Sequence, residues 1–219
     1  MMDVDGLYSH VFWDWNGTLL DDVRHCIECF NCLLDERGLA AIDGAATYRE
    51  HFSFPVRNYY QHVGFDLEGE PFELLAAQYI SLYHAPDIVW SLYDDVEATL
   101  QKMSKQGIRQ VILTASERGN LEAQLSTFLI RPFFDALLAL DDIHARSKIE
   151  IGREYLAHHQ VRKGLIIGDT VHDYEVASTL GLDCLLVARG HNSSEVLSTC
   201  GVPVCANLAE ACSFLESGV

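Results

Sequence analysis

Residues 10–22 read HVFWDWNGTLLDD, and this stretch decides the fold. The apolar, β-forming run at residues 11–13 predicts a short buried strand that ends at Asp14. A charge at the end of a buried strand costs free energy unless a partner neutralises it, and open α/β sheets place their ligands at such ends. Asp14 is therefore predicted to be a nucleophile or a metal ligand. The alternative is an aspartate that caps the turn at Asn16 and Gly17.

Composition and charge limit the classes of protein that the chain can represent. It has 219 residues, of which 49% are hydrophobic and 21% charged, which is typical of a globular protein with one large core or a core and a small module. The net charge of −17 comes from 15 basic and 32 acidic residues. Such a chain repels nucleic acid and anionic membranes, so neither is an expected partner. An anionic substrate would need a local positive group, such as a metal ion or backbone N–H groups.

The sequence predicts a cytoplasmic protein. Residues 1–10 contain no basic segment followed by an apolar run, which argues against a signal peptide, and no apolar stretch is long enough to span a bilayer. Seven cysteines are an odd number in a chain of this size, which indicates reduced thiols. The expected assembly is a monomer or a homodimer.

The order of predicted elements indicates an α/β fold with an insertion. After residue 92, continuous apolar strands alternate with helices, which is typical of a parallel sheet covered by helices on both faces. Residues 21–90 read as helices only. We therefore expect an α/β core formed by residues 1–20 and 91–219, with residues 21–90 as an inserted α-helical domain.

Cys26, Cys29 and Cys32 lie three residues apart in the first helix of the insertion. This spacing is compatible with a metal or cluster site, or with small apolar side chains packed along one helical face. No Cys/His group with ligand spacing lies nearby in the sequence, which favours packing.

Three predicted strands end near polar residues: Asp14, Thr114 and Asp169. The carboxyl ends of parallel strands meet at one edge of a sheet, and Asp173, four residues after Asp169, can turn toward the same edge. Carboxylates this close repel one another unless a cation lies between them, and oxygen ligands suit Mg²⁺. Thr114 could offer a hydroxyl to a phosphate, and Lys148 could supply a positive charge.

Each of these residues also has an ordinary structural explanation. Thr114 could belong to a helix N-cap, Lys148 could be a solvated lysine in a first helical turn, and Asp173 could be a common acidic residue at a helix start. Their joint occurrence in this order, beside predicted strand ends, favours a site.

The same order resembles the haloacid dehalogenase superfamily across nearly the whole chain. Residues 14–19, DWNGTL, resemble its first motif, D-x-D-G-T-L, and residues 112–114 resemble its second. Lys148 resembles the third motif and residues 168–173 the fourth. The helical insertion is similar to the cap of the phosphoglycolate phosphatase-like branch.

This resemblance implies a Rossmann-like core and a Mg²⁺-dependent phosphatase that acts on a small phosphorylated metabolite. The phosphoryl group would pass to Asp14 and form an aspartyl-phosphate. The implied metal site is Asp14, Asn16 through its main-chain carbonyl, Asp169 and Asp173. The implied phosphate-binding residues are Gly17, Thr18, Thr114, Ala115 and Lys148.

Asn16 departs from the family pattern, because the phosphatases carry an aspartate there that protonates the leaving oxygen and then activates water. An amide cannot exchange protons at neutral pH. Three alternatives follow: a phosphatase with altered proton transfer, a phosphotransferase, or a weakly active or inactive relative that binds a phosphorylated ligand or a protein partner. His172 could be a substitute acid–base group, or a histidine that faces solvent at a helix start.

Three arginines of the insertion, Arg24, Arg49 and Arg57, are candidates to meet an anionic group of a substrate. The alternative for each is a surface salt bridge.

Overall fold

The computed structural model describes residues 8–141 and 147–216 and contains one parallel sheet. Its strands are β1 (His10–Trp13), β2 (Arg109–Glu117), β3 (Ala136–Leu140), β4 (Gly164–Gly168), β5 (Asp183–Val187) and β6 (Val204–Cys205). They are ordered β3-β2-β1-β4-β5-β6, and every neighbouring pair is parallel. The predicted parallel α/β fold is confirmed.

Helices fill the connections between the strands. They are α1 (Val23–Asp35), α2 (Gly44–His51), α3 (Val56–His62), α4 (Phe72–Tyr83), α5 (Val96–Lys105), α6 (Arg118–Leu125), α7 (Lys148–His158), α8 (Val171–Leu180), α9 (Ser194–Ser198) and α10 (Leu208–Glu216). Within the described residues, none of these helices combines the length and hydrophobicity that crossing a bilayer requires.

The sheet is buried on both faces because successive side chains of a strand point to opposite sides. In β1, Val11 and Trp13 pack on one face with α5, α6 and α10, whereas Phe12 packs on the other face with α7, α8 and α9. This layering explains why the strands read as continuous apolar runs. It also leaves the carboxyl edge of the sheet as the place where polar side chains gather.

Helices α1–α4, which we call the helical block (residues 23–83), have a hydrophobic cluster of their own. The chain enters and leaves the block side by side, since Leu20 and Leu92 form an antiparallel bridge and the Asp21 N–H donates to the Ser91 carbonyl at 2.9 Å. The division of the chain into a core and a separate inserted domain is a proposal taken up below.

Strand β2 is longer than the sequence indicates. The apolar run predicts an end at Leu113, but the strand continues to Glu117, and its register against β3 shifts between these two residues. Such an irregularity lets a strand continue while its side chains are re-aimed. As a result Thr114, Ala115 and Ser116 all lie along the carboxyl edge of the sheet.

We expect Phe30→Ala to destabilise the protein by about 3–5 kcal/mol. Phe30 is 2% exposed, and its ring lies 4.8–5.1 Å from the rings of Tyr59, Tyr60 and Tyr79. Urea unfolding measures the loss. The control is Leu129→Ala, at a residue 91% exposed, which should change the free energy of unfolding by less than about 0.5 kcal/mol. Equal losses of unfolding free energy in the two variants would show that Phe30 is not part of a packed core in the helical block.

Candidate active site

The structure brings four predicted site residues together at the carboxyl edge of the sheet. Asp14 follows β1, and Asp169 follows the neighbouring strand β4. The Lys148 ammonium lies 2.8 Å from Asp14 Oδ1 and 2.5 Å from Asp173 Oδ1. Lys148, Asp169 and Asp173 are buried, whereas Asp14 is partly open to the cleft. These contacts exclude the simple reading of Lys148 as a solvated lysine.

Two helix starts position this cluster. Ser147 caps α7 by accepting from the Glu150 N–H, which places Lys148 at the first helical position. Thr170 caps α8, and Asp173 completes the capping box by accepting from Thr170. Local capping therefore sets the positions of both Lys148 and Asp173.

Asp173 has both carboxylate oxygens occupied. Oδ1 accepts from Lys148, and Oδ2 accepts from the N–H groups of Asp169 and Thr170 and from the Thr170 hydroxyl. Because Asp173 contacts both Lys148 and the start of α8, we expect it to hold Lys148 in place. Its role as a metal ligand stays a prediction.

The cluster has more acidic than basic side chains, with Lys148 against Asp14, Asp169 and Asp173. Burial, together with repulsion from Asp173, raises the pKa of Asp14 to about 7 despite the nearby Lys148. Burial also raises the pKa of Asp169 to about 6, although hydrogen bonds and the charge of His191 oppose it. Burial lowers the pKa of Lys148, but Asp14 and Asp173 outweigh it and raise the value overall.

A divalent cation fits this arrangement. Carboxylate oxygens of Asp14, Asp169 and Asp173 lie within 4.8 Å of one another, and Lys148 contacts two of the three acids. A cation beside Asp14 and Asp169 would lower both pKa values and keep the two groups ionised at neutral pH.

The loop after β1 contacts the Asp169 carboxylate, so it does not form an open site for a phosphate group. The Thr18 hydroxyl donates to Asp169 Oδ1 at 2.5 Å, and the His191 N–H donates to Oδ2 at 2.6 Å. Gly17 has φ of +70°, and a Cβ on Gly17 or Gly190 would collide with the Asp169 carboxylate. Glycine is therefore required at both positions.

This arrangement corrects part of the predicted phosphate cradle. The Gly17 N–H donates to Asp22 Oδ1 at 2.9 Å, and the Thr18 hydroxyl is held by Asp169. Both donors are thus engaged within the protein. Thr114 and Ala115, in contrast, line the cleft together with Lys148, as the sequence suggested.

Asn16 is fixed by three hydrogen bonds. Its Nδ2 donates to Asp22 Oδ2 and to the Tyr83 hydroxyl, both at 2.8 Å. Its Oδ1 accepts from the Ser116 hydroxyl at 2.6 Å. Since the amide has its hydrogen atoms and its oxygen engaged, its orientation is determined by its surroundings.

Asp22 and His191 form a buried ion pair beside Asn16. His191 Nε2 lies 3.5 Å from Asp22 Oδ1, and His191 Nδ1 lies 2.9 Å from the Tyr48 hydroxyl. Burial lowers the pKa of His191, but the hydrogen bond and charge of Asp22 outweigh it and raise the pKa to about 9. Burial raises the pKa of Asp22, yet His191 reverses this and keeps it below its usual range. The pair is charged at neutral pH.

Sequence reasoning missed Asp22, Ser116, His191 and Tyr83. His191 follows β5, so the rule that identified Asp14 and Asp169 could have found it as well. Ser116 was hidden because β2 was expected to end earlier. Tyr83 joins the network only through the tertiary fold.

The three arginines of the insertion lie away from the cleft. Arg24 is 92% exposed and pairs with Glu28, while Arg57 lies over the Phe72 ring. Arg49 donates to the main-chain carbonyls of Arg189 and Gly190, which fastens the helical block to the loop after β5. Their expected role against a substrate anion is therefore not supported.

His172 lies at the edge of the cleft rather than in solvent. Its ring centroid is 4.8 Å from that of Phe54 in the helical block, and it lines the cavity. Burial, with a contribution from Lys148, lowers its pKa. Its predicted alternative role in proton transfer stays a prediction.

The three cysteines of α1 lie along the helix and do not form a metal site with one another. Cys26 and Cys29 are buried and Cys32 is exposed. Cys26 contacts Asp22, with Sγ 3.6 Å from Oδ2, but that carboxylate already accepts from Asn16, Gly17 and Tyr83. The hydrogen bonds account for this contact without a metal.

A cavity of about 730 Å³ opens between the strand edge and the helical block. Asp14, Thr114 and Lys148 lie on its sheet side, and aromatic side chains form much of its opposite wall. This size falls in the range of small-molecule sites.

The sequence matches a known protein family. The model of the haloacid dehalogenase-like hydrolase family matches residues 11–187. The chain belongs to this family. The resemblance of its motifs and the prediction of an enzyme of this hydrolase class are therefore confirmed.

One relative of this haloacid dehalogenase-like hydrolase is a protein kinase. Tyrosine-protein kinase PtkA of Mycobacterium tuberculosis is 24% identical over 206 residues, covering 91% of this chain and 68% of the relative. The solved structure of that kinase has a TM-score of 0.80 at 23% identity and covers 95% of this chain and 98% of its own.

Two solved structures carry phosphatase names. A predicted phosphatase from Clostridium acetobutylicum has a TM-score of 0.77 at 20% identity, covering 96% of this chain and 99% of its own. A predicted phosphoglycolate phosphatase from Haemophilus somnus has a TM-score of 0.74 at 16% identity, covering 94% and 97%. At these identities the structures confirm the fold.

We expect the stability gained from His191 to be lost at alkaline pH. Its pKa is about 9 in the folded state and about 6.5 in the unfolded chain. The contribution is therefore full below pH 6.5 and disappears as pH rises through 9, a change of about 3 kcal/mol.

Urea unfolding of the wild type and of His191→Gln tests this expectation at pH 6, 7.5 and 9.5. Groups that do not contact His191 cancel in the difference between the two unfolding free energies. In the variant as well, Asp22 keeps the hydrogen bonds from Asn16, Gly17 and Tyr83 that favour its ionised form. That difference should shrink with rising pH, and a constant difference would contradict a charged His191.

Proposed function

We propose that the protein is a Mg²⁺-dependent phosphomonoester hydrolase that uses Asp14 as its nucleophile and acts on a small phosphorylated compound. The observation that carries the proposal is the buried Lys148 held between Asp14 and Asp173, at 2.8 and 2.5 Å, at the mouth of a cavity of substrate size. A carboxylate nucleophile beside a fixed cation suits attack on a phosphoryl group.

Magnesium would be held by the side chains of Asp14 and Asp169 and by the main-chain carbonyl of Asn16. The raised pKa values of the two carboxyl groups support this choice, since both groups need a cation to stay ionised. When bound, the ion supplies positive charge that offsets the negative charge of the phosphoryl oxygens.

The protein's own groups perform the remaining work. Lys148 donates to Asp14 Oδ1, which leaves Oδ2 to attack phosphorus in line with the leaving oxygen. Lys148 and Thr114 bind phosphoryl oxygens. The bond between phosphorus and the leaving oxygen breaks and an aspartyl-phosphate forms. Water then attacks this phosphorus, which releases phosphate and restores the Asp14 carboxylate.

Residues 21–90 would act as a separate cap that covers the cleft and selects the substrate. The independent hydrophobic cluster of the helical block and its contribution to the cavity wall support this role. The acidic composition and the cysteines, all free among the described residues, support a cytoplasmic location.

A phosphotransferase is the second candidate. The similarity to a tyrosine-protein kinase favours it, because in such a reaction an acceptor hydroxyl takes the phosphoryl group in place of water. Transfer of label from γ-labelled ATP to a tyrosine peptide, without release of free phosphate, would identify this activity.

We expect Asp14→Asn to lower the turnover of 4-nitrophenyl phosphate by more than about 10³-fold, because the nucleophile is lost. Asp169→Asn should weaken Mg²⁺ binding, measured by calorimetry, by about 10–100-fold. The control is Asp21→Asn, which removes the same charge at an exposed position. Unchanged Mg²⁺ affinity in Asp169→Asn would exclude the proposed metal site.

We expect Asn16→Asp alone to be poorly tolerated, because its new carboxylate would face the Asp22 carboxylate where the amide now donates. The double variant Asn16→Asp/Asp22→Asn exchanges the two groups and keeps a donor opposite an acceptor. It should raise the turnover of alkyl phosphates by about 10²–10⁴-fold over the wild type. Steady-state kinetics measure the gain, and equal rates would show that the missing acid at position 16 does not limit hydrolysis.

A further inference from the structure

We infer that the substrate is a phosphorylated phenol, so that an aromatic alcohol leaves when Asp14 takes the phosphoryl group. The inference rests on the proposed hydrolase function and names its substrate class. Three independent features of the cavity support it: its aromatic wall, its distribution of charge, and the proton chemistry beside Asp14.

The aromatic wall runs from the helical block to the reaction centre. Ring centroids are 5.2 Å apart between Tyr48 and Phe52, 5.5 Å between Phe52 and Phe54, and 4.8 Å between Phe54 and His172. Tyr48 is buried, but Phe52 is partly open and Phe54 is 40% exposed. The row therefore presents ring surface to the cavity, next to the helix that carries Asp173.

Phe54 is 40% exposed, so the helical block leaves part of this ring surface uncovered. Ile80, also on the cavity wall, is 44% exposed, so an apolar mouth is formed by side chains that a core would hide. Aromatic rings stack favourably against other rings in offset or edge-on geometry. An aromatic leaving group would cover this surface.

The charge of the wall disfavours a second anionic group on the substrate. Among the described lining residues, Lys148 is the one lysine or arginine, and it is engaged by Asp14 and Asp173. Asp22, also on the wall, is balanced by its ion pair with His191, and Glu117 adds a further carboxylate. A leaving group with its own carboxylate, such as glycolate, or with a second phosphate would be repelled.

The group next to Asp14 cannot protonate a leaving oxygen. Both hydrogen positions of the Asn16 amide are engaged, one by Asp22 and one by Tyr83. A leaving group that receives no proton from position 16 departs as an anion. A phenol has a pKa near 10, against about 15.7 for water as a guide to simple alcohols, so a phenolate leaves far more readily than an alkoxide.

The reaction balances without a further reagent. Asp14 Oδ2 forms a bond to phosphorus as the bond from phosphorus to the phenol oxygen breaks, and the electron pair leaves on the phenolate. The phenolate takes a proton from solvent. Water then adds to phosphorus, the bond to Asp14 breaks, and phosphate and a proton are released. The sum is aryl phosphate and water giving phenol and phosphate.

A set of matched substrates tests the inference with the purified 219-residue chain and Mg²⁺. Phenyl phosphate has a ring and a good leaving group, benzyl phosphate has a ring and a poor one, and cyclohexyl phosphate has neither. We expect kcat/KM for phenyl phosphate to exceed that for cyclohexyl phosphate by at least about 10²-fold. Benzyl phosphate should fall between them, and 2-phosphoglycolate should be the poorest substrate.

A wall variant tests recognition of the ring. Phe54→Ala, at a partly exposed position, should lower kcat/KM for phenyl phosphate by about 3- to 10-fold and leave acetyl phosphate, which has no ring, unaffected. The control is Leu74→Ala, at a residue 50% exposed on the same block that does not line the cavity. It should change neither rate.

The possible outcomes distinguish failure of the proposed substrate class from failure of the proposed hydrolase function. Hydrolysis of acetyl phosphate that depends on Asp14, without preference for phenyl over cyclohexyl phosphate, would overturn the inference and leave the hydrolase intact. No phosphate release from any substrate, including acetyl phosphate, would overturn both. If phenyl phosphate is preferred, comparing free phosphotyrosine with a phosphotyrosyl peptide shows whether the phenol is a small molecule or part of a protein.

Discussion

The ion pair network of Lys148 is the interaction on which the site depends. A buried ammonium is costly unless it is paired and hydrogen-bonded, and here it contacts Asp14 and Asp173 at 2.8 and 2.5 Å. Asp173 is itself fixed by the capping box of α8, and Lys148 by that of α7. The reaction centre is therefore built from two helix starts and the end of one strand. Its geometry follows from local sequence signals that act together only in the folded sheet.

A second carboxylate changes what this centre can do. Asp22 lies within hydrogen-bond distance of Asn16, so the acid of this pair stands at position 22 and the amide at position 16. Asp22 is also paired with His191 and held by Tyr83, so it contributes to structure where an aspartate at position 16 would contribute to proton transfer. An aromatic cavity wall and a phenol that needs no proton to leave are consistent with this arrangement.

The sequence predicted the sheet and the central cluster because both depend on local patterns. Continuous apolar runs identify the strands, and strand ends identify Asp14 and Asp169. The network around Asn16 could not be read in the same way, because Tyr83 lies 61 residues from Asp22. Ser116 was missed because a register shift in β2 is set by pairing with β3 and has no local signal.

The contact of Arg49 with the loop after β5 affects how often the cavity can open for substrate entry and product release. The guanidinium donates two hydrogen bonds, at 2.7 and 2.6 Å, to main-chain carbonyls. Swinging the helical block away from the sheet breaks both. A hydrogen bond from a charged group is worth about 1.5–3 kcal/mol net, so these two bonds alone would limit an open arrangement to at most roughly one molecule in 10² to 10⁴. The hydrogen bonds of Tyr48 and Tyr83 to the core lower that population further. The rate of such brief openings would then set an upper limit on throughput, whatever the speed of the chemistry at Asp14.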